Sequence, residues 1–184
     1  MKATEILKAT PTTKIFLDMD GVLADFFHEY AKLAGVPENQ YGIHDYRSIP
    51  PAKTDPTLEK MVGTDFFHRL PKFVTSDQLV KLVLEYVSEY HICSSPLRND
   101  EKNSEHWKRE WIKDNLAVQP TDIIITGSKE KYAVNKDGTP NILIDDRKKV
   151  LDRWTAAGGI GIKYQADESD LSVVADGLRL AYGY

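Results

Sequence analysis

Five short apolar runs punctuate the chain: Lys14 to Asp18 (KIFLD), Tyr90 to Ser94 (YHICS), Asp122 to Thr126 (DIIIT), Asn141 to Asp145 (NILID) and Gly161 to Tyr164 (GIKY). Each is about five residues, rich in Ile, Leu or aromatics and bounded by polar or turn residues, which predicts a strand. Near-continuous apolarity suits central strands of a parallel sheet covered on both faces. Helical spacing appears between the runs. Leu79, Val80, Leu82, Val83 and Val87 follow Thr75-Ser76-Asp77-Gln78, which has the form of a capping box. Ser104 can cap a helix whose Trp107 and Trp111 form one apolar stripe with Ile112. Lys148 to Ala157 reads as a helix closed by Gly158-Gly159. Ser169 or Asp167 can cap a last helix through Leu171, Val174 and Leu178. The alternation predicts a Rossmann-like, three-layer α/β fold with five parallel strands in spatial order 3-2-1-4-5.

One stretch breaks the rhythm. More than seventy residues separate the first run from the second, far more than one crossover helix requires. Leu33 to Pro71 contains Pro37, Pro50, Pro51 and Pro56 and several aromatics. Two readings stand, an inserted helical cap and a long irregular loop. Thr57 to Met61 and Phe66 to Leu70 look helical and favour the cap. The expected division is a core of residues 1–32 and 73–184 with a small cap at 33–72, inserted after the first strand and helix.

Composition narrows the class. The chain has 184 residues, 41% hydrophobic and 28% charged, which excludes a disordered or collagen-like chain. A net charge of −4 argues against gripping long nucleic acid through its phosphates. A single Cys leaves no internal disulfide and points to a reducing compartment. No run is long enough to span a membrane, and Met1 to Glu5 leads into mixed polar sequence rather than a signal segment. A cytoplasmic protein, monomeric or homodimeric, is expected.

Candidate chemistry falls at the ends of the predicted strands. Asp18-Met19-Asp20-Gly21-Val22 places two carboxylates two residues apart, able to face one crevice, with Gly21 for a sharp turn. Ser94 and Ser95 follow the second strand, where a hydroxyl can hold a phosphate oxygen, although serines there are also turn formers. Lys129 follows the third strand and could neutralise a phosphate. Asp145-Asp146 closes the fourth, where paired carboxylates suit a hard divalent cation or a helix N-terminus. The first is the most specific, and the other three are ambiguous alone. Together they lie at the carboxyl ends of parallel strands, where open sheets bind ligands. The set supplies what metal-assisted phosphoryl transfer needs.

The ordered set D-x-D-G-V, Ser94, Lys129, Asp145-Asp146 resembles the four motifs of the haloacid dehalogenase superfamily of phosphatases. Phe16 to Phe26 resembles the opening of the 5'(3')-deoxyribonucleotidase family. So do Phe66-Phe67 with Leu70-Pro71, His91 to Leu97, Ile124 to Thr126 and Leu143 to Arg147. The motifs span residues 14 to 150. The family usually has Thr where this chain has Ser94, a swap that keeps the hydroxyl. Its cap tryptophan has no counterpart here.

The resemblance implies a Mg²⁺-dependent phosphatase acting on a small nucleoside monophosphate. Asp18 would be the nucleophile and Asp20 the acid and then the base. Ser94, Ser95 and Lys129 would hold the phosphate. The metal would take the Asp18 carboxylate, the Asp20 carbonyl and Asp146 or Asp145. Phe26 would lie against the base, its alternative being a core-facing ring, and Tyr41, His44 and Tyr46 could complete a pocket. Rival readings are a phosphatase of sugar phosphates or nucleic-acid 3'-phosphates, a phospho-acceptor receiver domain, and a silent binding module. A receiver carries its acceptor Asp later than its acidic pair, whereas D-x-D-G comes first here.

Overall fold

The computed structural model describes residues 8–36 and 56–184. The strands are β1 (Ile15–Leu17), β2 (His91–Ser94), β3 (Asp122–Ile125), β4 (Ile142–Asp145) and β5 (Ile160–Lys163). They form one parallel sheet in the order β3-β2-β1-β4-β5, as the pattern predicts. The helices are α1 (Phe26–Ala34), α2 (Pro56–Glu59), α3 (Ser76–Val83), α4 (Glu101–Asn115), α5 (Lys148–Ala156) and α6 (Ser172–Tyr182). Among the described residues no helix is long and apolar enough to cross a membrane.

Period-two alternation explains why the runs are apolar throughout. Ile15, Leu17, Ile92, Ile142 and Ile144 enter one core with Leu79, Val83, Trp111, Ile112, Val174 and Leu178 from α3, α4 and α6. Phe16, Cys93 and Leu143 enter a second core with Val150, Leu151 and Trp154 from α5. Each large side chain so buried contributes roughly 1.5–3 kcal/mol. The sheet therefore has helices on both faces, and its strand ends are the open edges.

Helix starts depart from expectation. Thr75 makes no side-chain cap bond, and its Oγ1 lies 3.3 Å from the Tyr164 hydroxyl instead. The helix expected from Ser104 begins one turn earlier, at Glu101. Ser104 is buried inside it, donates to the Asp100 carbonyl (2.8 Å) and accepts from the Leu97 N–H (2.9 Å). At α6, neither Ser169 nor Asp167 but Asp170 Oδ1 accepts from the Ser172 N–H, at 2.8 Å. In each case a tertiary or neighbouring partner outcompetes the local cap. Gly158, with φ +96°, follows α5 as the pattern predicts.

Residues 37–55 of the insertion, including Tyr41, His44 and Tyr46, lie outside the described residues. Its return limb is described. Pro56–Glu59 is helical, but Phe66 to Leu70 forms turns rather than a helix. Pro71 disfavours helical geometry at Leu70 and supplies no N–H to continue a ladder. The limb is tied to the core: Trp111 Nε1 donates to the Leu70 carbonyl at 2.7 Å, Asn103 Nδ2 to the Thr64 carbonyl at 2.9 Å, and the Asp25 N–H to the Pro71 carbonyl at 2.8 Å.

His91, at the opposite end of β2 from Ser94, is 1% exposed. Burial pushes its imidazole below 6.5 and Lys14 adds to this, outweighing Asp122 and Glu89. Between the folded and unfolded values the unfolded chain binds the extra proton, so stability is lost as pH falls below about 6.5. Urea midpoints measured between about pH 7.5 and pH 5 should fall for the wild type. In His91→Gln this part of the slope should be absent.

Candidate active site

β1 neighbours both β2 and β4, so the order of connection reverses at its carboxyl end and a crevice opens there. Asp18 leaves β1 with its N–H on the Ile144 carbonyl at 2.9 Å. The Met19 carbonyl accepts from the N–H groups of Leu23 and Ala24 at 2.8 and 2.9 Å, which rolls residues 19–24 into a tight loop. Gly21 sits at φ +77°, a region that L side chains rarely adopt. A Cβ there would lie 2.7 Å from the Phe27 ring and 3.2 Å from the Asp146 carboxylate. The glycine thus makes the turn and admits Asp146 to the loop.

The structure brings six of the expected residues together. Asp18, Asp145 and Asp146 are buried, with one oxygen of each within 4.8 Å of the others. Lys129, in a short 3₁₀ turn after β3, is 1% exposed. Its Nζ lies 2.9 Å from Asp18 Oδ1 and donates to Asp145 Oδ2 at 2.7 Å. The other Asp145 oxygen accepts from the Arg147 N–H at 2.9 Å. Asp146 Oδ2 is buried and has no hydrogen-bond partner among the described residues. Ser94 ends β2, fully buried.

Two expected residues stand further out. Ser95 accepts from Arg147 Nη2 at 3.1 Å, on a side chain that is half exposed. Phe26 packs against the core and is surrounded by rings. It stacks on Tyr30 and Phe67, with centroids 5.9 and 6.1 Å apart, and meets Phe27 and Phe66 edge-on. The ring is only partly buried.

One site residue escaped the sequence reading. Lys108, mid-way along α4, is fully buried. Its Nζ donates to Asp20 Oδ2 at 2.6 Å and to Ser94 Oγ at 3.0 Å, and sits 4.6 Å from the centroid of the Phe67 ring. The signal was its place in the helix. Ser104, Lys108, Trp111 and Ile112 form the buried stripe, so a lysine occupies an otherwise inward-facing position.

The charges differentiate the carboxyls. Burial alone would push Asp18 up, but Lys129, Arg147 and Lys108 together hold it below the ordinary value of 3.8. Asp20 is pushed up by burial and by Asp18, against the pull of Lys108. Asp146 is pushed well up by burial, Asp18 and Asp145. Burial opposes the charge on Lys129, yet Asp18 and Asp145 hold its ammonium above its ordinary range. Four carboxylates face three cations, and the shortfall falls chiefly on Asp146. A group of hard oxygen donors with one uncompensated carboxylate fits Mg²⁺. Burial raises the neighbouring Cys93 thiol to about 12, which removes it as a nucleophile.

Gly21→Ala should destabilise the protein by more than about 1 kcal/mol, because it adds a positive-φ penalty to a contact under 3 Å. Chemical denaturation checks this. Gly63→Ala, also at positive φ but with open space around the added Cβ, should cost less.

No family model and no curated protein matches the chain. Solved structures do. A hydrolase from Streptococcus pneumoniae superposes with a TM-score of 0.50 at 15% identity, over 90% of this chain and all of that one. A haloacid dehalogenase family enzyme from Bacteroides thetaiotaomicron, a mutant in complex with magnesium and inorganic phosphate, gives 0.46 at 17% identity over 88% of this chain and 98% of that one. The chain is thus similar in fold to the pneumococcal hydrolase, with its acidic cluster at the carboxyl edge of the sheet.

Proposed function

We propose that the protein is a Mg²⁺-dependent phosphomonoesterase working through an aspartyl-phosphate, with a small nucleoside monophosphate as substrate. The observation that carries this reading is the contrast between two carboxyls two residues apart. Asp18 is held ionised by Lys129, whereas Asp20 is pushed toward its protonated form. A nucleophile and an acid need opposite protonation states, and these environments shift the two carboxyls in those opposite directions.

An Asp18 carboxylate oxygen attacks phosphorus, and the bond from phosphorus to the leaving oxygen breaks. Asp20 gives its proton to that oxygen, then takes one from the water that hydrolyses the acyl phosphate. Ser94 accepts from Lys108, so its own O–H is left to donate to a phosphate oxygen. Lys129 gives one of its three donors to Asp145 and is ion-paired with Asp18, which leaves it able to donate to the phosphate as well. Asp18, Asp146 and the Asp20 carbonyl would hold the cation, since both Asp145 oxygens are engaged. Mg²⁺ supplies charge stabilisation at the phosphoryl oxygens. Residues 33–72 would act as a cap, and Phe26 would contribute to the base side of the pocket through its stack with Phe67.

Phosphate release should be measured from 5'- and 3'-deoxyribonucleoside and ribonucleoside monophosphates and from sugar phosphates. The expected result is selective nucleotide turnover, abolished by EDTA and reduced at least on the order of 10³-fold by Asp18→Asn. Turnover of sugar phosphates alone would keep the chemistry and discard the nucleotide assignment. Turnover of nothing by the folded protein would overturn the proposal.

The metal assignment has its own check in thermal unfolding. Mg²⁺ at about 100 times its Kd should stabilise the wild type by about 2.7 kcal/mol. Asp146→Asn should lose most of that gain. The raised Asp146 value means that the folded state binds the extra proton, so this group's contribution declines as pH rises above 3.8. At neutral pH without metal, Asp146→Asn should therefore melt no lower than the wild type.

A further inference from the structure

We propose that Lys108 is the positioning residue of this cleft, anchoring the Asp20 carboxylate through Oδ2 and so assigning proton transfer to Oδ1. The inference rests on the reading of Asp20 as the acid and base.

A lysine with no exposed surface in the middle of a helix is costly unless fully partnered. Lys108 is partnered from three separate segments: Asp20 in the loop after β1, Ser94 at the end of β2, and the Phe67 ring from the insertion's return limb. An ammonium has three donors. Two go to Asp20 and Ser94, and the ring lies close enough for a cation–π contact. The ammonium is thus enclosed, and it acts through its partners rather than by gripping substrate.

The two Asp20 oxygens are consequently unlike. Oδ2 accepts from Lys108 at 2.6 Å, whereas Oδ1 is buried with no hydrogen-bond partner among the described residues. A proton on Oδ1 leaves Oδ2 as the carbonyl oxygen, the better acceptor for the Lys108 ammonium. As the phosphorus–oxygen bond to the leaving group breaks, the proton on Oδ1 passes to the leaving oxygen and Asp20 becomes a carboxylate. Water then attacks the acyl phosphate and returns a proton to Oδ1. Lys129 pairs with different carboxylates, Asp18 and Asp145, so the two lysines contact different members of the acidic group.

The test compares kcat/KM for an alkyl phosphate, whose leaving group needs a proton, with that for 4-nitrophenyl phosphate, whose leaving group does not. The proteins are the wild type, Lys108→Met, Asp20→Asn and the double variant. Lys108→Met should lose on the order of 10²-fold on the alkyl ester and at least tenfold less on the aryl ester. Added to Asp20→Asn, it should cost less than about threefold more on the alkyl ester, because the function it supports is already gone. Should Lys108→Met fail to fold for want of a partner to Asp20, the comparison of Asp20→Asn with the double variant still decides. Equal losses on both esters, or a full further loss in the Asp20→Asn background, would overturn the inference and leave Lys108 as a direct phosphate or packing group. A wild type that turns over neither ester would remove the acid–base reading itself.

Discussion

Four carboxyls gathered at the dry edge of a sheet repel one another, and the cleft exists only because cations are buried with them. Lys129 is the central one. It lies between Asp18 and Asp145, at the ends of neighbouring strands that are distant in sequence, and it pairs with both within 2.9 Å. Removing one partner of such a group strands the others in a medium that cannot solvate them. The rest of the cleft follows from this compensation: Asp18 is held below the ordinary carboxyl range, Asp20 is pushed above it, and Asp146 is left short of positive charge. Each lysine reaches the cleft from a different element, so the charge balance also records that the surrounding chain has packed correctly.

Most of the sheet was legible because its physics is local. A central parallel strand must be apolar on both faces, and KIFLD, YHICS and NILID are apolar for that reason. The strand-end carboxylates were legible because parallel topology sends every carboxyl terminus to the same edge. Helix caps were less so. Thr75 and Ser104 carry the right hydroxyls, but each found a tertiary partner that sequence spacing does not reveal. The turns at Phe66 to Leu70 were misread as helix because the aromatic pattern outweighed the effect of Pro71.

Lys108 shows the harder limit. No motif marks it, and a lysine within a charged helix normally reads as solvated surface. Its role depends on the rotation of α4 about its axis, and that rotation is set by Trp111 and Ile112 burying themselves on the sheet. The clue was indirect, a charged residue in step with the buried stripe rather than with the exposed face. Phe26 is the converse case. Its position one turn beyond the loop is plain from spacing, whereas its packing among four neighbouring rings is not.

The placement of β1 has a consequence for how the molecule comes into being. Its partners in the sheet are β2 and β4, and Lys14 meets Asn141, 127 positions further along the chain. A chain made from its N-terminus exposes the central strand first and the neighbour that completes it much later. Non-local pairing of this kind is slow and leaves apolar edges open to other chains meanwhile. During that interval the loop bearing Asp18 and Asp20 has neither Lys129 nor Asp146 beside it. Assembly of the cleft is therefore a late event, coincident with closure of the sheet.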